Sequence, residues 1–197
     1  MRAFQRSFGN RETTTILDVG GTPFNWGLIA ARCLITLLNL SVPADVDALP
    51  PNITCVVGSG TRLDFEDGCF DVAFSNSVIE HLSSWERQQA FAREIRRVGR
   101  SLWVQTPARR FFVEPHLITP FVNYLPKRWQ RRLLRNFTVW GWLARPSQEA
   151  VDRFLAETRL LDHEEMRRLF PDCEIRRERF LGFTKSYVAV RRAAGLR

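Results

Sequence analysis

Residues 16–26 read ILDVGGTPFNW, and this stretch decides how the rest of the chain is interpreted. Its first four residues suit a buried β-strand, which Gly20 and Gly21 end abruptly. A short helical candidate follows at once, and a strand that leads into a helix is typical of parallel sheets, where ligands bind outside the carboxyl ends of the strands. Because glycine has no side chain, backbone N–H groups at this turn can approach a ligand closely. We therefore treat the turn as a candidate ligand site, with a plain tight turn as the alternative.

Six further strand candidates follow the glycine turn as apolar runs bounded by turn residues. They are residues 36–40 within LITLLNLS, then NITCVVGS, FDVAFSNS, SLWVQTP, CEIRRERFLG and SYVAVRR. Strands this apolar are usually covered on both faces, as in parallel sheets. Residues 83–99 have the apolar spacing of a crossover helix, with Ser83 and Glu86 as its capping box.

The pattern changes after the fifth strand. Residues 108–150 are rich in Pro, Trp and Arg and lack strand alternation, which predicts a helical insertion or lid over residues 108–160. Residues 161–197 then hold a short helix, capped by Asp162 and Glu165, and the two closing strands. The length of 197 residues favours one domain with an α/β sandwich of about seven strands, and residues 14–107 form its ligand-binding core.

Composition narrows the class of protein. Hydrophobic residues make up 45% of the chain and charged residues 25%, which is enough apolar material for a full core. The four cysteines are scattered without C-x-x-C spacing, which argues against metal and disulfide frameworks and fits reduced thiols. Without a signal-peptide pattern or a long uncharged apolar run, we expect a cytoplasmic protein.

The turn at Gly20 does not fit the common phosphate-binding motifs. The pattern G-x-G-x-x-G would need glycines where Thr22 and Asn25 stand, and G-x-x-x-x-G-K-[ST] is absent. A phosphate cradle is therefore disfavoured. A ligand with a polar amino-acid end and a nucleoside end remains open.

Three stretches together resemble a known family: ILDVGG, VVGSGTRLDFEDGCFDVAFSNSVIEHL and EIRRVGRSLWVQTP. They are similar to class I S-adenosylmethionine-dependent methyltransferases of the small bacterial type, with a methyltransferase domain of type 11. The second stretch carries the acidic loop, the Phe-Asp pair and the Glu-His pair typical of them. The resemblance covers residues 14–107. It implies a Rossmann-like three-layer sandwich with a mostly parallel seven-stranded sheet, a helical insertion before the last two strands, and S-adenosylmethionine as cofactor.

The resemblance also implies roles for single residues. Asp18, Gly20 and Gly21 match the loop that holds the methionine end of the cofactor. Asn39 matches the position that usually carries an acid for the ribose hydroxyls. The remaining matches are Ser59, Gly60 and Thr61 near the adenine, and Asn76 and Ser77 beside the sulfonium.

The sequence departs from the family pattern in three respects: the glycine motif, the end of the second strand, and the loop near the adenine. Of the glycines in G-x-G-x-G only Gly20 is kept, because Thr22 and Phe24 occupy the other two places. Asn39 replaces an acid, and Ser59 stands where an adenine-binding Asp is common. Asn39 therefore forfeits a charge-assisted hydrogen bond, which is roughly twice as strong as a neutral one. These changes leave a second hypothesis open, a catalytically degenerate methyltransferase-like subunit that binds the cofactor or a partner.

Candidate catalytic residues follow the fourth and fifth strands. His81 lies at the rim where an acceptor would approach, and a histidine suits removal of a hydroxyl proton. Our hypothesis is that His81 is the general base and that Glu80 orients it or holds the cofactor loop, whereas the simpler alternative is packing at a helix start. His116, between two prolines, is expected to contact the acceptor from a loop or to be structural. No metal ligand is predicted.

Partners are suggested by residues 121–145, which mix cations with aromatic residues. Within them, residues 127–135 carry five cations and no anion, in a chain of net charge +8. The segment could be a lid over the site, a peripheral membrane contact at the inner surface, or a cradle for an anionic glycan. No RNA-binding motif is present, which argues against nucleic acid.

The preferred reaction is methyl transfer to a hydroxyl of a small molecule, sugar or lipid-linked intermediate. Only about 13 residues precede the first strand, where this fold commonly has a helix or two. A second copy in a homodimer could complete the site.

Overall fold

The computed structural model describes residues 1–42, 46, 49–111, 113–114, 119–120, 125, 127–137, 142–143 and 145–193. Of residues 113–114, 119–120, 127 and 135–137 it describes the backbone alone. His116 lies outside the described residues.

One seven-stranded sheet organises the chain. Its strands are β1 (Thr15–Val19), β2 (Leu34–Asn39), β3 (Ile53–Val57), β4 (Phe70–Asn76), β5 (Gly99–Pro107), β8 (Glu174–Phe180) and β9 (Phe183–Arg191). The order across the sheet is β3-β2-β1-β4-β5-β9-β8. Strands β1 to β5 pair in parallel, whereas β9 is antiparallel to both neighbours. The predicted mostly parallel seven-stranded sheet is confirmed.

Six α-helices accompany the sheet within the described residues. They are α1 (Arg2–Phe8), α2 (Pro23–Gly27), α3 (Trp85–Val98), α4 (Lys127–Phe137), α5 (Gln148–Glu157) and α6 (His163–Leu169). Helices α4 and α5 lie between β5 and β8, so the predicted helical insertion is confirmed. The insertion also contains a small antiparallel pair that sequence patterns did not indicate, β6 (Val113–Glu114) with β7 (Thr119–Pro120). Among the helices of the described residues, none combines the length and the hydropathy of a transmembrane span.

Two hydrophobic cores cover the faces of the sheet. Because side chains alternate along a strand, Leu17 of β1 points to one face and Ile16 to the other. The face of Leu17 packs with Phe91 and Ile95 of α3. The face of Ile16 packs with an aromatic cluster from α1, α2, β4 and β5, namely Phe4, Phe8, Trp26, Phe74 and Trp103. These layers confirm the three-layer sandwich.

Three local predictions need correction. Strand β2 begins at Leu34 rather than at residue 36, because Leu34 pairs with Thr15 of β1. Helix α1 was not predicted, because Phe4 and Phe8 are its only large apolar residues and give too short a pattern. The two lie four residues apart on one face of the helix, and both are buried. The capping box of α3 is wrong. Ser84 is the N-cap and accepts from the Arg87 backbone N–H, whereas Ser83 has φ +55° outside the helix.

The capping box of α6 is confirmed. The Asp162 side chain accepts from the Glu165 backbone N–H, and the Glu165 side chain accepts from that of Asp162, both at 2.9 Å.

Candidate functional site

A cavity of about 640 Å³ opens at the carboxyl ends of β1, β2 and β3. The strand order reverses between β1 and β4, which is where ligands bind in open parallel sheets. Five predicted cofactor residues line this cavity: Gly20, Gly21, Asn39, Ser59 and Gly60. Four others lie outside its wall: Asp18, Thr61, Asn76 and Ser77. Val78 and Phe91 also line the cavity. They were not predicted, because glycine and polar patterns do not single out apolar wall residues.

The glycine turn leaves no room for side chains. Gly20 has φ +76°, a left-handed conformation that favours glycine, and a Cβ there would overlap the side chain of Val78. A Cβ on Gly21 would overlap the carboxylate of Asp18. The backbone of this turn therefore has no side chain on the side that faces the cavity, and its other side is closely packed.

Asp18 supports this turn from below. Its side chain is buried, and Oδ2 accepts a 2.8 Å hydrogen bond from the Trp26 indole N–H. The second oxygen, Oδ1, has no hydrogen-bond partner among the described residues. Burial raises the pKa of the Asp18 carboxyl to about 7, although the Trp26 hydrogen bond opposes that shift. Asp18 does not line the cavity itself and contributes to its shape by packing against the glycine turn.

Asn39 closes the end of β2 beside the turn. Its Nδ2 donates a 3.0 Å hydrogen bond to the carbonyl oxygen of Gly21. Because a carbonyl only accepts, this contact fixes the amide with its NH₂ group toward Gly21. The Oδ1 atom is then an acceptor at the cavity wall, which suits a ligand hydroxyl.

The loop after β3 forms another part of the cavity wall. The hydroxyls of Ser59 and Thr61 are 2.9 Å apart and hold each other in place. A Cβ on Gly60 would lie 2.8 Å from Val19 Cγ1 and 2.9 Å from the Phe91 ring. At Gly60, too, the wall is therefore backbone without a side chain, and it packs directly on the apolar side chains of Val19 and Phe91.

The turn after β4 carries the remaining candidates. Ser77 has φ +59°, and its backbone N–H donates to the Gln105 carbonyl at 3.0 Å, while its hydroxyl donates to Asn76 Oδ1 at 3.4 Å. A short 3-10 turn, Ile79–His81, follows. These contacts anchor the end of β4 to β5.

Glu80 and His81 are neighbours in opposite environments. Glu80 is buried, and Oε2 accepts a 2.9 Å hydrogen bond from the Thr106 hydroxyl of β5. The Glu80 backbone carbonyl accepts from the Arg159 N–H at 2.7 Å, which ties the end of the insertion to this turn. His81 is exposed. Among the described residues, no group of three or more His, Cys, Asp or Glu could hold a metal ion.

Part of the chain, including several residues of this site, matches a known family model. Residues 26–101 match the family model described as a methyltransferase domain. The match includes Asn39, Ser59 and Gly60 and begins just after the glycine turn. A comparison with curated protein sequences gives no match.

Several solved structures share the fold. A SAM-dependent methyltransferase from Methanosarcina mazei is 14% identical over 95% of this chain and 94% of its own, with a TM-score of 0.56. One from Aquifex aeolicus is 14% identical over 96% and 87%, with a TM-score of 0.53. A Rhodobacter sphaeroides protein described as a putative Zn-dependent alcohol dehydrogenase is 14% identical over 96% and 89%, with a TM-score of 0.62. At such identity the likeness establishes the fold alone.

Proposed function

Because the chain has the fold of class I methyltransferases and matches their domain model over residues 26–101, we propose that it is an S-adenosylmethionine-dependent methyltransferase. The observation that carries the proposal is the cavity at the carboxyl ends of β1 to β3, walled by bare backbone at Gly20, Gly21 and Gly60. Such walls accept an elongated ligand through backbone N–H groups rather than side chains.

The parts of the cavity fit the parts of the cofactor. Its amino-acid end would lie against Gly20 and Gly21, where the backbone is bare. Its ribose would donate a hydroxyl hydrogen bond to Asn39 Oδ1, the acceptor left by the contact with Gly21. Its adenine would rest near Ser59 and Gly60, on the apolar side chains of Leu38 and Phe91.

The cofactor supplies an activated methyl group on sulfur. The protein must mainly align the acceptor with it, and alignment can contribute roughly 7–11 kcal/mol to lowering the barrier. An acceptor hydroxyl must also lose its proton, and exposed His81, in the turn after β4, is our candidate for receiving it. Glu80 would act as a positioning residue, because its buried carboxylate and backbone carbonyl tie this turn to Thr106 and Arg159.

The acceptor we favour is a hydroxyl of a small molecule, sugar or lipid-linked intermediate. Support comes from the insertion, which leaves the sheet at the end of β5 and returns where Ala108 pairs with Leu161. It therefore starts and ends at the edge of the sheet that carries the cavity. Its basic and aromatic residues suit an anionic or amphipathic acceptor.

Calorimetric titration with S-adenosylhomocysteine tests the proposal. We expect binding by the wild-type chain and none by Gly20→Val, because a valine at φ +76° would be strained and would meet Val78. The variant's circular dichroism and thermal unfolding must show a folded protein. A folded wild-type chain that takes up no S-adenosylhomocysteine at millimolar concentration would overturn the proposal.

A degenerate, non-catalytic subunit is the second candidate, and neutral Asn39 in place of an acid favours it. The two candidates differ in turnover. With an acceptor found by screening, His81→Ala should bind S-adenosylhomocysteine normally and lose about 10²- to 10⁴-fold in turnover. Full turnover by His81→Ala would remove His81 from the mechanism. Tight cofactor binding without turnover on any hydroxyl acceptor would favour the degenerate subunit.

A further inference from the structure

Helices α4 and α5 of the insertion pack against each other and leave one face of α4 outside. Leu134 of α4 is fully buried against Val151 of α5. Arg131 of α4 also pairs with Asp152 of α5, with Nε and Oδ1 2.6 Å apart. These two contacts fix which side of α4 faces the protein.

The outward face of α4 is both cationic and aromatic. At 3.6 residues per turn, Arg128, Trp129 and Arg132 lie roughly 120–160° around the helix from Leu134. Trp129 is 50% exposed, and both arginines are exposed. Neither Arg128 nor Arg132 forms an ion pair with any residue that the structure describes. No acidic residue occurs in α4 to neutralise them.

These side chains border a second cavity, of about 420 Å³. Its described lining consists of Arg128, Trp129, Arg131 and Arg132. Guanidinium groups present planar, forked N–H donors that match phosphate oxygens. Asp152 neutralises only Arg131, so the cavity retains excess positive charge suited to a phosphate group.

Exposed apolar side chains occur on both sides of this helix in the sequence. Leu125 is 38% exposed, Trp142 73% and Leu143 82%. Tryptophan prefers the boundary between water and lipid, where its apolar ring and its N–H group both find suitable surroundings. A free phosphate would satisfy the arginines and leave these leucines in water. A nucleic acid could stack on the tryptophans, but aliphatic Leu125 and Leu143 offer bases no stacking surface.

We propose that α4, with Leu125, Trp142 and Leu143, is a docking surface for an anionic phospholipid bilayer, and that a lipid phosphate occupies the arginine cavity. Basic residues near such a surface are attracted by its negative potential, while the aromatic and aliphatic side chains enter the interface. The inference goes beyond the proposed methyl transfer and does not depend on it.

Vesicle co-sedimentation of the full chain tests this surface. The vesicles are phosphatidylcholine alone, and phosphatidylcholine with about a third phosphatidylglycerol to supply the anionic surface. We expect binding to the anionic vesicles that weakens at high salt. Arg128→Ala with Arg132→Ala should weaken it by roughly 30-fold, about fivefold for each charge removed. Trp129→Ala should also weaken binding, by several-fold.

The matched control removes two exposed arginines elsewhere, Arg93→Ala with Arg167→Ala, and should bind as the wild type does. Thermal unfolding and circular dichroism establish that each variant is folded. Equal loss in the control would attribute binding to net charge and overturn the proposal. So would absence of binding to anionic vesicles. Soluble glycerol phosphate or an RNA oligonucleotide binding as tightly as the vesicles would overturn it too, because the bilayer would then not be the ligand.

Discussion

The indole N–H of Trp26 donates a 2.8 Å hydrogen bond to Oδ2 of Asp18, and both side chains are buried beneath the glycine turn. Trp26 in turn contacts Phe4 and Phe74, with ring centroids 5.6 Å and 5.2 Å away. The cavity wall is thus connected through one hydrogen bond to the aromatic core on that face of the sheet. The same carboxylate leaves no space for a side chain at Gly21.

Alanine at Gly21 should damage the cavity, because its Cβ would overlap the Asp18 carboxylate and the turn would have to move. We expect Gly21→Ala to weaken S-adenosylhomocysteine binding at least tenfold, which corresponds to about 1.4 kcal/mol. Calorimetric titration of the folded variant measures this.

Gly27 provides a matched control at the end of α2. A Cβ there has no atom within 4 Å, so Gly27→Ala should bind as the wild type does. Unchanged affinity in Gly21→Ala would contradict our description of the turn.

Removing the indole donor tests the link to the core. Trp26→Phe keeps an aromatic ring but leaves the buried Asp18 carboxyl without its hydrogen bond from Trp26. An unsatisfied buried polar group costs about 1–3 kcal/mol, so we expect a loss of that size in the free energy of unfolding. Urea unfolding measures it. The same substitution is then made in an Asp18→Ala background, where this hydrogen bond cannot form. If Trp26→Phe lowers the free energy of unfolding equally in both backgrounds, the hydrogen bond contributes nothing.

Much of this fold could be predicted from sequence because its strands are apolar runs with clear turn residues. Helix α1 could not, since burial of Phe4 and Phe8 depends on the distant Trp103 rather than on a local pattern. Ser83 and Ser84 are equally good caps in sequence, and the left-handed backbone of Ser83 decides between them. Gly20 and Gly21 were predicted from the glycine turn itself, and both line the cavity. The support that Trp26 gives to Asp18 was not, because no local rule pairs an indole with a carboxylate eight residues earlier.

Asn39, the neutral residue at the end of β2, leads us to predict that the acid usual in the family would weaken cofactor binding in this chain. Asn39→Asp would restore the usual acid, but a carboxylate cannot donate to the Gly21 carbonyl that Asn39 Nδ2 now contacts at 3.0 Å. Two acceptors would then face each other. We expect weaker S-adenosylhomocysteine binding in Asn39→Asp, by roughly tenfold for a lost hydrogen bond and the new repulsion. Tighter binding of Asn39→Asp in the titration would contradict this prediction. It would show that the contact with the ribose outweighs the hydrogen bond from Asn39 to the Gly21 carbonyl.

Stability around Asp18 should depend on pH in an unusual direction. The pKa of its carboxyl is about 7 in the folded chain, well above the ordinary aspartate value of 3.8. Between these values the folded state holds a proton that the unfolded state has released, so stability falls as pH rises from about 4 to about 7. Asn at this position cannot titrate, yet its carbonyl oxygen can still accept from Trp26.

We therefore expect the free energy of unfolding of the wild type, minus that of Asp18→Asn, to decrease across this window by on the order of a few kcal/mol. Urea unfolding at successive pH values gives both curves. Subtraction removes the opposite contribution of paired carboxylates such as Asp162 and Asp172, whose pKa values are lowered and which titrate identically in the two proteins. A difference that stays constant from pH 4 to 7 would contradict this prediction. It would mean that the Asp18 carboxyl is already ionised in this range in the folded chain, and that solvent from the cavity reaches and stabilises the carboxylate beneath Gly21.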